Sequence, residues 1–91
     1  MDYDADKVDD YTLALMYLVS FREGKEPLTW VRAWKGFDWD TTNRLHAKGY
    51  ISDPVGKAKS VTMSEEGYAR AERLFEEFFG KAGPGAEDVR G

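Results

Sequence analysis

The sequence predicts a small α+β domain, mostly helical, with one two-stranded β-hairpin. Three observations carry that expectation. An apolar run from Leu13 to Val19 marks one helix, and Tyr68, Ala71, Leu74, Phe75, Phe78 and Phe79, at helical spacing, mark another. Between them, Tyr50–Ser52 and Lys57–Met63 read as short strands. They flank Asp53-Pro54-Val55-Gly56, a turn in which Pro fixes one dihedral and Gly frees another. A chain of 91 residues makes one domain with a modest core, expected over residues 1–80.

Taken in order, Met1 to Lys7 is polar and acidic and is expected to fray. Asp9 or Asp10 is the expected cap of the first helix, which runs from Tyr11 to Phe21. That helix is apolar on nearly every side and carries no charge. It is either a core helix covered by loops or a helix with one face in a dimer contact. Arg22 to Pro27 is a polar turn. Leu28 to Trp34 suits a strand by its Thr, Trp and Val content, but Thr29 as a cap favours a short helix stopping at Gly36.

Asp38 is the expected N-cap of a helix from Trp39 to Lys48, with Asp40 in its first turn and Gly49 in the left-handed position past its end. On a helical wheel Trp39, Thr42, Leu45 and His46 share one face, and Asp40, Thr41, Arg44, Ala47 and Lys48 the other. After the hairpin, Ser64 caps the last helix and Met63 is placed to staple onto Tyr68. Gly80 ends that helix. Residues 81–91 are rich in glycine and charge and are expected to be a disordered tail.

The absence of cysteine excludes disulfides, thiolate metal sites and a cysteine nucleophile. The first ten residues are acidic where a signal peptide needs a basic region, and the longest apolar run is too short to cross a bilayer. The expectation is a cytoplasmic protein with no membrane partner. The net charge of −4 is uneven. Residues 1–30 carry three basic and seven acidic side chains, residues 31–62 six and three, and residues 63–91 four and seven. Only the middle third is basic, which suits a local anion-binding face and not strong non-specific DNA affinity.

No residue constellation calls for a catalyst, a cofactor or a metal. His46, the one histidine, lies on the inner face of its helix and reads as a packed or capping residue. Asp2, Asp4 and Asp6 imitate the start of a calcium loop, but Lys7 and Leu13 stand where its Gly and closing Glu belong. Trp30, Trp34, Phe37 and Trp39 form a dense aromatic group, expected to join the core, with a ligand pocket as the alternative.

The run Leu45-x-x-x-Gly49-Tyr50-Ile51, a hairpin with basic residues, and Val61-Thr62-Met63-Ser64-Glu65-Glu66-Gly67 resembles winged helix-turn-helix regulators of the MarR and PadR type. A second likeness covers more of the chain. Asp9-Asp10-x-Thr12-Leu13-Ala14-Leu15, Ala33-Trp34-Lys35-Gly36-Phe37-Asp38-Trp39 and Arg44-Leu45-His46-x-Lys48-Gly49-Tyr50-Ile51-Ser52-Asp53 look like a small bacterial family of unknown function. The winged-helix resemblance implies a DNA-associated regulator that acts as a dimer, the leading expectation on fold precedent. In it Trp39–Lys48 is the recognition helix, Thr41, Arg44 and Lys48 meet bases or phosphates, and Lys57 and Lys59 are the wing's phosphate contacts. The rival expectation is a protein-interaction or dimerisation module that does not bind DNA and uses the first helix to form a homodimer. The acidic termini, Asp40 and the all-round apolar first helix favour the rival.

Overall fold

A computed structural model describes residues 1–81. It is an α+β domain in the order α1 (Ala5–Leu18), β1 (Ser20–Lys25), β2 (Leu28–Trp34), α2 (Trp39–Ala47), β3 (Ser60–Met63) and α3 (Glu65–Phe79). The strands form one antiparallel sheet in the order β1-β2-β3. The sheet therefore has three strands, where the sequence led us to expect a two-stranded hairpin.

Local capping holds each helix. The Asp4 carboxylate accepts the Lys7 N–H at 3.1 Å and starts α1. Neither Asp9 nor Asp10 is the cap, and α1 ends at Leu18 because Ser20 and Phe21 enter the sheet. The expected caps of the other two helices are present: Asp38 accepts from Thr41 N–H at 3.1 Å, and Ser64 from Gly67 N–H at 2.9 Å. At the end of α2, Gly49 has φ +84°, its N–H donates to His46 O, and Tyr50 N–H donates to Leu45 O at 3.1 Å. That is a Schellman closure, and it needs the left-handed residue that glycine supplies without strain.

Leu28 to Trp34 is a strand, not the short helix expected. Val31 and Ala33 are buried on one face while Trp30 and Trp34 point to the other, a period of two. Pairing with both β1 and β3 settles what the side chains alone left open. The polar turn expected over Arg22–Pro27 shrinks to Glu26 and Pro27, whose peptide bond is cis. In the later hairpin, the expected strand over Tyr50–Ser52 is a single bridge, Ile51 to Met63, and the returning strand begins only at Ser60.

The core lies between the inner sheet face and the three helices. Leu13, Met16, Leu45 and Val61 are fully buried, joined by Ala14, Ala33, Ile51, Met63, Ala71 and Leu74. Aromatic pairs zip α1 to α3. The Tyr11 and Phe78 rings stack at 4.1 Å, and Tyr17 sits 5.5 Å from Tyr68 and 5.4 Å from Phe75. Such pairs add about 0.5–1.5 kcal/mol each beyond the area they bury. The Asp10–Arg70 ion pair, 3.0 Å, fixes the register of the same two helices. The expected disordered tail lies outside the described residues except for Lys81.

Candidate functional site

The face of α2 that the sequence offered to DNA is turned against α1. Arg44 Nε donates to both carboxylate oxygens of Asp9, at 2.9 and 3.1 Å. Lys48 Nζ donates to Asp9 at 2.8 Å and to Asp6 at 2.9 Å. Asp9 is completely buried. A buried carboxylate is tolerated only when paired and hydrogen-bonded, so these two cations are what lets Asp9 sit inside. The hydrogen bond to Lys48 holds the Asp6 carboxyl below its usual value of 3.8. The bonds to Asp6 and Asp9 raise the Lys48 ammonium above its usual 10.5, against the opposing effect of burial. Arg44 is raised first by its bond to Asp9.

Thr41 is also internal. It is buried, its hydroxyl donates to Asp38 at 3.0 Å, and it accepts from Arg44 Nη2 at 3.2 Å. Thr41, Arg44 and Lys48 thus form one network with Asp6, Asp9 and Asp38. The helical wheel grouped them rightly but gave them the wrong side. Lys57 and Lys59 stand apart on the hairpin, exposed and without an ion pair among the described residues. Five sequence candidates therefore divide into three that brace the fold and two that face solvent.

His46 is exposed, not on the inner face expected, and its role is a hydrogen bond. Its Nδ1 lies 2.9 Å from Ile51 O. A carbonyl only accepts, so Nδ1 carries the proton and the ring ties α2 to the hairpin. No group of three His, Cys, Asp or Glu side chains is placed to hold a metal among the described residues. Among the same residues, no helix is long and apolar enough to cross a membrane.

Of the aromatic group only Phe37 packs against the core. Trp34 is 52% exposed and Trp39 61%. With Phe37 and Pro54 they wall an open cleft of about 360 Å³, with Thr42 at its base and Lys35 and Lys59 on its rim. Lys35 Nζ donates to Pro54 O at 2.6 Å and Gly56 O at 2.9 Å, which ties the β2–α2 connection to the hairpin loop. Trp30 lies elsewhere, over Gly24 on the outer sheet face. The proximity of these aromatics in sequence was visible; that they face outward was not.

A second open surface runs along α1. Val8, Tyr11, Leu15 and Leu18 recur at intervals of three and four residues, and the last three are exposed. The inward side of the same helix carries Leu13, Ala14 and Met16, all completely buried. The helix is thus apolar on two sides, of which one packs into the core.

Comparison with known proteins agrees with the second resemblance. "Uncharacterized protein y4hR" of Sinorhizobium fredii (strain NBRC 101917 / NGR234) is 48% identical over 79 residues, spanning 87% of this chain and 97% of that protein. No solved structure matches. The model of the family described as "Domain of unknown function (DUF6429)" matches residues 4–81, and the chain belongs to that family.

Proposed function

We propose that this domain is a non-enzymatic protein-interaction module that self-associates through the outer face of α1. The observation that carries the reading is the row Val8, Tyr11, Leu15 and Leu18, in which Leu15 and Leu18 are exposed, Tyr11 is exposed beside its stack on Phe78, and Val8 is half-buried. A three-and-four spacing keeps apolar side chains on one seam of a helix, the pattern by which two helices pack. Val8, Tyr11, Thr12 and Leu15 line a shallow groove along this seam. The occupant that suits it is the same seam of a second copy, since a two-fold axis makes one patch its own complement.

The test is sedimentation velocity over a wide concentration range. The native chain is expected to dimerise, and Leu15→Glu to remain monomeric with an unchanged circular dichroism spectrum and melting temperature. A native chain that stays monomeric at high concentration would overturn the reading. Loss of folding in Leu15→Glu would return that residue to the core.

A second reading, a winged-helix-like regulator on double-stranded DNA, has the free Lys57 and Lys59 in its favour. The order α2, hairpin, α3 resembles a winged-helix end in which the β1–β2 hairpin stands where the first helix of the helix-turn-helix pair belongs. Against it, freeing Arg44 and Lys48 for phosphate would strip the buried Asp9 of its partners. Fluorescence anisotropy with a mixed-sequence duplex at low salt separates the two. We expect no binding; affinity that falls steeply with salt and with Lys59→Ala would restore the DNA reading.

A further inference from the structure

We propose that the cleft between β2, α2 and the hairpin is a binding site for a small planar organic anion, one aromatic ring system bearing a carboxylate or sulfonate. Four observations converge on that chemistry. The volume, about 360 Å³, sits at the small end of ligand pockets and admits one mono- or bicyclic ring system. Trp34, Phe37 and Trp39 offer flat π faces, and two of these rings are left more than half in water. The rim carries Lys35 and Lys59, and no carboxylate lines the cleft. In a chain of net charge −4, that is a local inversion of sign.

The fourth observation concerns donors. Neither the Trp34 nor the Trp39 indole N–H donates a hydrogen bond to another described residue. Lys35 commits two of its three ammonium protons to carbonyls. The cleft therefore presents apolar, mostly aromatic walls with two lysines at its rim, and a guest that supplies a ring and a negatively charged acceptor matches both. A neutral ring would fill the walls and leave the lysines unanswered. A cation would be repelled. The site shares no lining residue with the α1 seam, so it stands or falls independently of self-association.

The three tryptophans make the test direct. In a 15N-labelled sample each indole N–H gives its own resonance, and Trp30 is a built-in control because it lies outside the cleft. The probe is 2-naphthoate, with 2-naphthalenemethanol and 2-naphthylmethylammonium as its neutral and cationic counterparts. We expect saturable shifts of the Trp34 and Trp39 indoles with naphthoate. The neutral probe should bind about tenfold more weakly and the cation not measurably, the difference a charge-assisted contact makes. Lys59→Ala should bring naphthoate down to the neutral probe's affinity, and Trp39→Ala should abolish saturation. Both side chains are exposed, so neither variant threatens the fold.

Equal binding of the three probes would refute the anion site, as would Trp30 shifting in step with the others. Concentration-dependent shifts of Trp34 and Trp39 without any probe would overturn the proposal by assigning the cleft to a second copy of the chain.

Discussion

Gly67 is where helix propensity and packing pull in opposite directions, and the structure decides between them. In α3 an alanine is worth about 1 kcal/mol over glycine. An added Cβ at Gly67 would fall onto the Tyr50 carbonyl oxygen and lie 2.8 Å from both the carbonyl carbon and Cα of Tyr50. Those are backbone atoms and cannot turn aside. Tyr50 O already accepts from Ser64 N–H at 3.0 Å, and the Ser64 hydroxyl donates to Gly49 O at 2.7 Å while capping Gly67. Any shift that relieves the clash loosens bonds worth about 1 kcal/mol each, on top of about 1–3 kcal/mol for overpacking. Gly67→Ala should therefore be destabilised by about 1–3 kcal/mol net. For a domain of this size that lowers the melting temperature by roughly 5–20 °C. Thermal and urea denaturation followed by circular dichroism measure both. A variant as stable as the native chain, or more so, would mean that α3 does not start pressed against Tyr50.

Gly36 is the matching control: nothing lies within 4 Å of its added Cβ, so Gly36→Ala should change stability by no more than about 0.5 kcal/mol by the same assay. Asp9→Asn should cost about 1–3 kcal/mol, because a fully buried carboxylate loses charge-assisted bonds to two cations. Asp10→Asn, at a partly exposed pair with Arg70, should cost less, and urea titrations that reverse this order would undo the account of Asp9. The Lys48 contacts also set a pH dependence. Lys48 is raised above 10.5 in the folded chain, so its contribution is whole below that pH and lost as pH climbs through the folded value. Asp6 is lowered from 3.8, so its contribution is present above that pH and lost as pH falls through the folded value. The gap in urea midpoint between the native chain and Lys48→Met should hence be constant over about pH 5–9, close as pH climbs through the folded Lys48 value, and narrow as pH falls through that of Asp6. A gap of the same size at every pH would show that the Lys48 charge contributes no stability.

What was legible in the sequence was what neighbouring residues decide among themselves. Asp38 and Ser64 cap helices within three residues of their own position, and Gly49 closes one within four. The apolar face of α3 shows in its spacing alone. What was hidden depended on partners far along the chain. Leu28–Trp34 has the composition of a strand and the flanks of a helix, and two paired strands break the tie. Asp9 precedes an apolar run and so looks like a cap, but its cations come 35 and 39 residues later. The wheel for α2 grouped Thr41, Arg44 and Lys48 correctly, yet a wheel says nothing about which side meets the core. Hydrophobicity argued for burying Trp34 and Trp39, and the limited inner volume of a small domain left them outside.

The zipper between α1 and α3 fixes when this domain can finish folding during its own synthesis. Residues 5–18 leave the ribosome early, and their partners at 65–79 leave late. The β1–β2 hairpin needs nothing beyond Trp34 and can form in the interval. Until the stretch from Tyr68 to Phe78 is free, however, Tyr17 and Tyr11 lack the rings they stack on, and α1 stands open on the side meant for α3 as well as on its seam. Loop closure over that distance is slow compared with local turn formation. A translation pause anywhere between Trp34 and Glu65 would thus hold out a naked apolar helix, the form in which nascent chains are seized by chaperones or by one another.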